Sequence, residues 1–157
     1  MPAKHLREFL ESNNISYSIV QHEEAYTAQE TAKYTHIPGR KLAKTVMIRL
    51  DGIMSMAVLP ASHRIDFNRL RNITGASEVE LASEEEFANM FPGCEKGAMP
   101  PFGNLYGMDV FADNHLFEDQ HIAFNAGSHT ELIRIELSDF RKLVNPIILD
   151  FTLKNNC

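Results

Sequence analysis

The stretch Lys44-Thr45-Val46-Met47-Ile48-Arg49-Leu50, followed by Asp51-Gly52 and then by Ile53 through Leu59 to Pro60, decides the fold. Both flanks are rich in strand-forming residues, and Asp-Gly readily takes the positive φ angles of the tight turn between antiparallel strands. A hairpin from Lys44 to Pro60 is therefore expected. Upstream, residues 3–13 place Leu6, Phe9 and Leu10 on one side at helical spacing, and Asn13-Asn14 supplies the stop. Ser16 to Val20 alternates as a strand, and Thr27-Ala28-Gln29-Glu30 reads as the capped start of a helix that runs to about His36 before Pro38-Gly39 breaks it.

Downstream, Asp66 caps a short helix to Asn72, and Ser83 with Glu86 caps another to about Met90. Three strands are expected near Met108–Ala112, Gln120–Asn125 and Glu131–Glu136, with a closing helix from Ser138 to about Val144. Strands in runs, with helices between them, predict a mixed α/β fold with a largely antiparallel sheet and surrounding helices. The chain has 157 residues, 44% hydrophobic and 23% charged, enough for one proper core. With no internal repeat and no linker, residues 1–157 read as a single domain.

Several function classes fall away at this level. No stretch approaches the roughly eighteen apolar residues of a membrane span, and Met1 to His5 has no apolar signal segment, so a cytoplasmic protein without a membrane partner is expected. A formal charge of −6 argues against general phosphate attraction, which excludes a DNA-gripping protein and leaves only small, local nucleic-acid contacts. Arg40, Lys41, Arg64, Arg69 and Arg71 are the cations available for a modest basic rim, or are simply scattered surface charge. The spacing of Cys94 and Cys157 suggests neither a disulfide framework nor a zinc site. His5, His22, His36, His63, His115, His121 and His129 form no paired ligand motif, and no metal or cofactor is expected. Ser128 and His129 are neighbours on an extended segment and point to opposite faces, so they do not make a triad, and there is no nucleophile elbow or P-loop.

What remains is Gly93-Cys94-Glu95-Lys96-Gly97-Ala98-Met99-Pro100-Pro101-Phe102-Gly103, inside a segment from Phe91 to Gly107 rich in helix and strand breakers. Glycines let backbone N–H groups come close to a ligand and prolines keep them aimed, which is how an oxyanion hole is built. A surface turn with Phe102 tucked into the core is the competing reading. If the loop is exposed and chemical, Gly103→Ala and more so Gly97→Ala should harm turnover more than stability.

The spacing Gly97, Pro101, Gly103 resembles the signature loop of the YbaK-like aminoacyl-tRNA deacylases, relatives of the prolyl-tRNA synthetase editing domain. Three further elements agree in order: Thr27-Ala28-Gln29-Glu30, Lys44 in Ala43-Lys44-Thr45-Val46, and Ala126-Gly127-Ser128-His129. The resemblance runs from about His22 to Val144 and implies the editing-domain fold. It also implies hydrolysis, in trans, of the ester joining a small misplaced amino acid (alanine, serine, cysteine or threonine) to the terminal ribose of tRNA. A synthetase pocket rejects a smaller amino acid by only about 1–3 kcal/mol per methylene, so a second sieve is needed.

By the same resemblance, Lys44 anchors a phosphate or ribose oxygen. Backbone N–H groups around Gly97 to Gly103, with Gly127, stabilise the oxyanion, and His129 orients the ligand or relays a proton. Thr27, Pro101, Phe102, Asp113, Gly127 and Ser128 complete the substrate-binding set, although Asp113 reads equally well as a cap of the Asn114-His115 turn. The expected partner is the acceptor end of mischarged tRNA, presented by a synthetase or an elongation factor. A non-catalytic module that holds a nucleotide or aminoacyl-tRNA for another protein is the alternative.

Overall fold

A computed structural model of the chain describes residues 4–95 and 97–155. Residues 1–3, Lys96, Asn156, Cys157 and the Ala28 side chain lie outside the described residues. The N-terminal apolar stripe forms α1 (Lys4–Ser12), which buries Leu6 and Leu10. Asn14 turns left-handed at φ 57°, and the Ile15 N–H bonds the Leu10 carbonyl at 3.0 Å. That closure delays β1 to Ser18–Gln21, two residues later than expected. Helix α2 (Ala28–Thr35) starts where the Thr27 hydroxyl accepts the Glu30 N–H at 3.1 Å and ends at a left-handed His36.

The central hairpin is β2 (Ala43–Leu50) and β3 (Ile53–Pro60), antiparallel from Ala43 opposite Pro60 to Leu50 opposite Ile53. Asp51 and Gly52 both have positive φ, 49° and 83°, as a two-residue turn of this kind requires. Next come β4 (His63–Ile65), α3 (Phe67–Thr74) capped by Asp66, and β5 (Val79–Leu81). The Asp51 carboxylate accepts the N–H groups of Ser77 and Glu78 at 2.9 and 2.8 Å, which holds β5 against the hairpin. Helix α4 (Glu84–Phe87) has the Ser83–Glu86 capping box but stops a turn short of Met90. The last elements are β6 (Val110–Asp113), β7 (His121–Asn125), β8 (Glu131–Glu136), α5 (Leu137–Val144), β9 (Ile147–Leu149) and β10 (Thr152–Lys154).

Five strands form a sheet in the order β5-β2-β3-β6-β9, three form β1-β8-β7, and β10 pairs with β4. Strand β6 runs parallel to β3, and β9 parallel to β6; the other strand pairs are antiparallel, so the architecture is mixed α/β as expected. The five-stranded sheet is apolar on both faces because successive residues alternate sides. Met47, Met56, Val58 and Ala112 face the main core with α1 and α5, while Ile48, Ala57 and Phe111 face Leu70 of α3 and Phe151. The two larger sheets meet at a parallel bridge between Leu42 and Ala123, packed with Ala61 and Leu132.

The glycine-proline segment is not an exposed loop beyond Gly97. Every residue from Ala98 to Gly103 is buried. Phe102 has no exposed surface and packs its ring against Phe9, Phe124 and Phe140. Phe102 therefore belongs to the core and does not bind substrate, which corrects that expectation. Gly103 is small for the same reason: a Cβ there would sit 2.9 Å from Val110 Cγ2 and 3.5 Å from Met108 Cβ. Gly103→Ala should cost about 1–3 kcal/mol of stability through overpacking and lower the melting midpoint by several degrees. The rate per folded molecule should be little changed, the reverse of the order expected for an exposed loop; thermal melting beside a turnover assay checks this.

Candidate functional site

Two residues beyond the Leu42–Ala123 bridge stand Lys44 on β2 and Asn125 on β7, on the same face as the bridge residues by the two-residue period of a strand. Their side chains line one cavity of about 170 Å³ together with Tyr26, Thr31, Leu42, Ala43, Thr45 and Gly97. Pockets that hold drug-sized ligands usually measure roughly 300–1,000 Å³, so this one suits a small group. Burial lowers the pKa of the half-buried Lys44 ammonium from the ordinary lysine value. Among the described residues no carboxylate lines the cavity to balance it. A half-desolvated cation without a counter-ion favours the arrival of an anionic or oxygen-rich group.

Gly97 takes φ +80°, a conformation that L side chains rarely adopt, while a Cβ there would make only an ordinary contact, 3.6 Å from His129 Cε1. His129 is 5% exposed; its ring lies 4.7 Å from that of Tyr26, and its carbonyl accepts the Ala25 N–H at 3.0 Å. It thus backs the cavity wall that Tyr26 and Gly97 present and does not itself line the space. Tyr26 is 65% exposed and forms the mouth.

The remaining expected residues serve as framework. The Gly127 N–H is committed to the Ala98 carbonyl at 2.9 Å, and the Gly127 carbonyl accepts the Glu95 N–H at 2.7 Å. An N–H so engaged is not an oxyanion donor, which corrects that role for Gly127. Within the signature loop the Ala98 and Phe102 N–H groups bond the Glu95 and Pro100 carbonyls, and among the described residues Gly97 is the loop residue that lines the cavity. Pro101 is buried. The Ser128 hydroxyl is held in a local turn with Thr130, 3.3 Å from its hydroxyl. Thr27 caps α2 and leaves Thr31, one turn on, to line the cavity.

Asp113 has no exposed surface. Its carboxylate accepts the His115 N–H at 3.2 Å, His115 Nδ1 at 2.8 Å and the Phe151 N–H at 3.3 Å. The turn-capping reading of Asp113 therefore prevails over amine binding. His63, whose Nδ1 lies 2.9 Å from the Thr152 hydroxyl, joins it, so the fold gathers His63, Asp113 and His115 with ligand atoms within 4.8 Å of one another. Sequence spacing did not reveal this group. Tetrahedral zinc would need ligand atoms roughly 3.4 Å apart, as its bonds of about 2.0–2.1 Å require. As built, the cluster is two hydrogen-bonded pairs, His63 with Thr152 and His115 with Asp113, whose imidazole rings lie 4.8 Å apart. Cys94 is half-buried against Tyr106, and burial pushes its thiol pKa up, the wrong direction for a nucleophile.

Two of the five cations of the expected basic rim are paired elsewhere: Arg40 with Asp119 at 3.9 Å, and Arg69 with Asp150 at 3.2 Å. Lys41 instead lines a cleft of about 310 Å³ that adjoins the bridge, with His36, His121, Ala123 and Arg134, and among the described residues no carboxylate is in its walls. Tyr26, Thr31 and Asn125 are the cavity residues that sequence reasoning missed. Only their position beside Lys44 marks them out.

The chain is similar to known proteins at three levels. It is 32% identical over 97 residues to the multifunctional Ser/Thr-tRNA deacylase ProXp-y of Escherichia coli K12, covering 61% of this chain and 58% of that protein. It is 28% identical over 86 residues to a proline–tRNA ligase of Bacillus mycoides, covering 55% of this chain and 15% of the ligase. The chain thus spans less than two thirds of the curated relatives it matches. In fold it resembles a solved structure described as a candidate trans-editing enzyme for prolyl tRNA synthetase, with TM-score 0.81 and 17% identity over 98% of this chain and 96% of that one. It also resembles hypothetical protein APE2540, with TM-score 0.84 and 16% identity over 96% of this chain and 100% of that one. The model of the aminoacyl-tRNA editing domain matches residues 22–143, and the chain belongs to that family.

Proposed function

We propose that the chain is a deacylase acting in trans, which hydrolyses the ester between a small amino acid and the terminal ribose of mischarged tRNA. The observation that carries this reading is the 170 Å³ cavity that pairs an unneutralised Lys44 with the backbone of Gly97. Alanine, serine, cysteine and threonine are the cargo class. The ester needs little activation. Water adds to its carbonyl carbon, the oxyanion is stabilised by the Gly97 N–H, and the acyl–oxygen bond breaks as the ribose oxygen takes up a proton.

Lys44 holds a ribose or phosphate oxygen of the acceptor end. His129 acts as a positioning residue, keeping Tyr26 and Gly97 in place. The Lys41–Arg134 cleft, one strand step from the cavity, offers a landing place for acceptor-strand phosphates despite the net charge of −6. The direct test offers purified protein several mischarged tRNAs, with uncatalysed ester loss as control; no acceleration with any of them rejects the reading.

Lys44→Ala should fold normally yet lose roughly 10- to 100-fold in kcat/KM, the range for removing a charged hydrogen bond. In wild type, uncharged tRNA should bind more weakly as pH rises through the lowered Lys44 pKa, before the ordinary lysine value of 10.5 is reached. Gly97→Ala should lower turnover at least about tenfold through a φ of +80° that alanine resists. Lys41→Ala with Arg134→Ala should raise KM for tRNA and flatten its salt dependence by about two counter-ions, while hydrolysis of an aminoacyl-adenosine lacking phosphates is unaffected.

A further inference from the structure

We infer that the Lys41–Arg134 cleft receives an unpaired base together with its phosphate, so that the chain grips the single-stranded 3′ end of its RNA and not the duplex behind it; this rests on the deacylase reading above for the strand that enters the cavity. The cleft and the cavity occupy successive rows of one sheet face. In the first row Arg134 of β8 stands opposite Ala123 of β7, which bridges to Leu42. In the next row Leu132 stands opposite Asn125, and Lys44 follows Leu42 by the same two residues. Two residues of a strand advance roughly 7 Å. A stacked nucleic-acid strand carries one phosphate per about 3.4 Å of axis, so the cleft lies within about two nucleotides of the terminal ribose. Those are unpaired nucleotides at the acceptor end of tRNA.

The walls of the cleft fit more than a phosphate. Its volume of about 310 Å³ is nearly twice the 170 Å³ of the cavity, and falls at the lower end of the range for ligands with a ring system. Arg134 and His36 are exposed and Lys41 and His121 half-buried, so all four are open to a ligand. Neither Lys41 nor Arg134 forms an ion pair among the described residues. Beside these cations stand two imidazoles, His36 and His121, and the apolar surfaces of Ile37 and Pro38. Phosphates need only the cations, whereas an imidazole beside apolar walls is a surface on which a base stacks. A paired base reaches such a concave site only after it is flipped out of its helix, at a cost that an unpaired one is spared.

Uncharged RNA oligonucleotides test this by fluorescence anisotropy with the intact chain, independently of hydrolysis. Three probes share one sequence and one 3′ end: a single strand, the same strand with its second and third nucleotides from that end made abasic, and a blunt duplex. The abasic strand keeps every phosphate and loses only bases. The single strand should bind at least about fivefold more tightly than the abasic strand, and more tightly than the duplex. The double variant His36→Asn with His121→Ala, in which asparagine tolerates the positive φ of residue 36, should bind the intact strand no better than the abasic one. Lys41→Ala should weaken both strands alike. Equal wild-type affinity for intact and abasic strands, a duplex bound as tightly as the single strand, or no binding of any probe overturns the proposal, as does a double variant that weakens both strands equally. A measurement that needs no variant is the imidazole NMR signals of His36 and His121. They should shift with the intact strand and much less with the abasic one, and equal shifts overturn the assignment even if the double variant does not fold. If mischarged tRNA is not hydrolysed while the single strand is still preferred, the deacylase reading fails and the nucleotide site stands; hydrolysis with equal affinities is the converse.

Discussion

At Leu42 and Ala123 two sheets meet in a single parallel bridge, and the placement of the cavity groups follows from that junction. Leu42, Ala61, Ala123 and Leu132 exclude water there, so the strands cannot slide without exposing apolar surface. Because side chains alternate along a strand, fixing the bridge also fixes which face carries Lys44 and which carries Asn125. A slip of one residue on either strand would turn that side chain away from the cavity. Site geometry is thus inherited from apolar packing at the seam, while the polar groups themselves contribute little to holding it.

The signature loop divides its labour along its length. Ala98, Met99 and Phe102 are core residues, and Gly103 is a glycine because Val110 leaves no room for a side chain. This buried half anchors the segment, and the two hydrogen bonds to Gly127 stitch its start to the strand end that carries Asn125 and His129. Gly97 is left at the edge, in a positive-φ conformation that glycine adopts readily. Rigid backbone donors of this kind need no reorganisation when charge develops on a substrate.

Much of the scaffold is legible in the residues themselves, because hairpin turns and helix caps are local rules. Asp51-Gly52, Thr27 with Glu30, Asp66, and Ser83 with Glu86 all do what their side chains favour. The three-residue strands β4, β5, β9 and β10 are too short to show periodicity and exist because a neighbour pairs with them. At the site, Lys44 and Gly97 line one cavity although fifty-three residues separate them. Glycine and proline mark irregular backbone without saying whether it is buried, so Phe102 and Gly103 are misread as part of an exposed loop. The meeting of His63 and Asp113, fifty residues apart, and the unpartnered Oδ1 of Asn125 among the described residues depend on neighbours that no spacing rule reaches.

The strand order β5-β2-β3-β6-β9 carries a consequence for biosynthesis. The hairpin can form as soon as residue 60 is clear of the ribosome, but its inner edge at β3 waits for Val110–Asp113, about fifty residues later. At ribosomal speeds of about 5–20 residues per second, that edge stays open for seconds, with Met56, Ala57 and Val58 unpaired. An open apolar edge of this kind invites pairing with other chains, and contacts between distant segments slow its closure further. Closing that edge is therefore the late step in assembling the central sheet, set by chain order and not by the strength of the finished pairing.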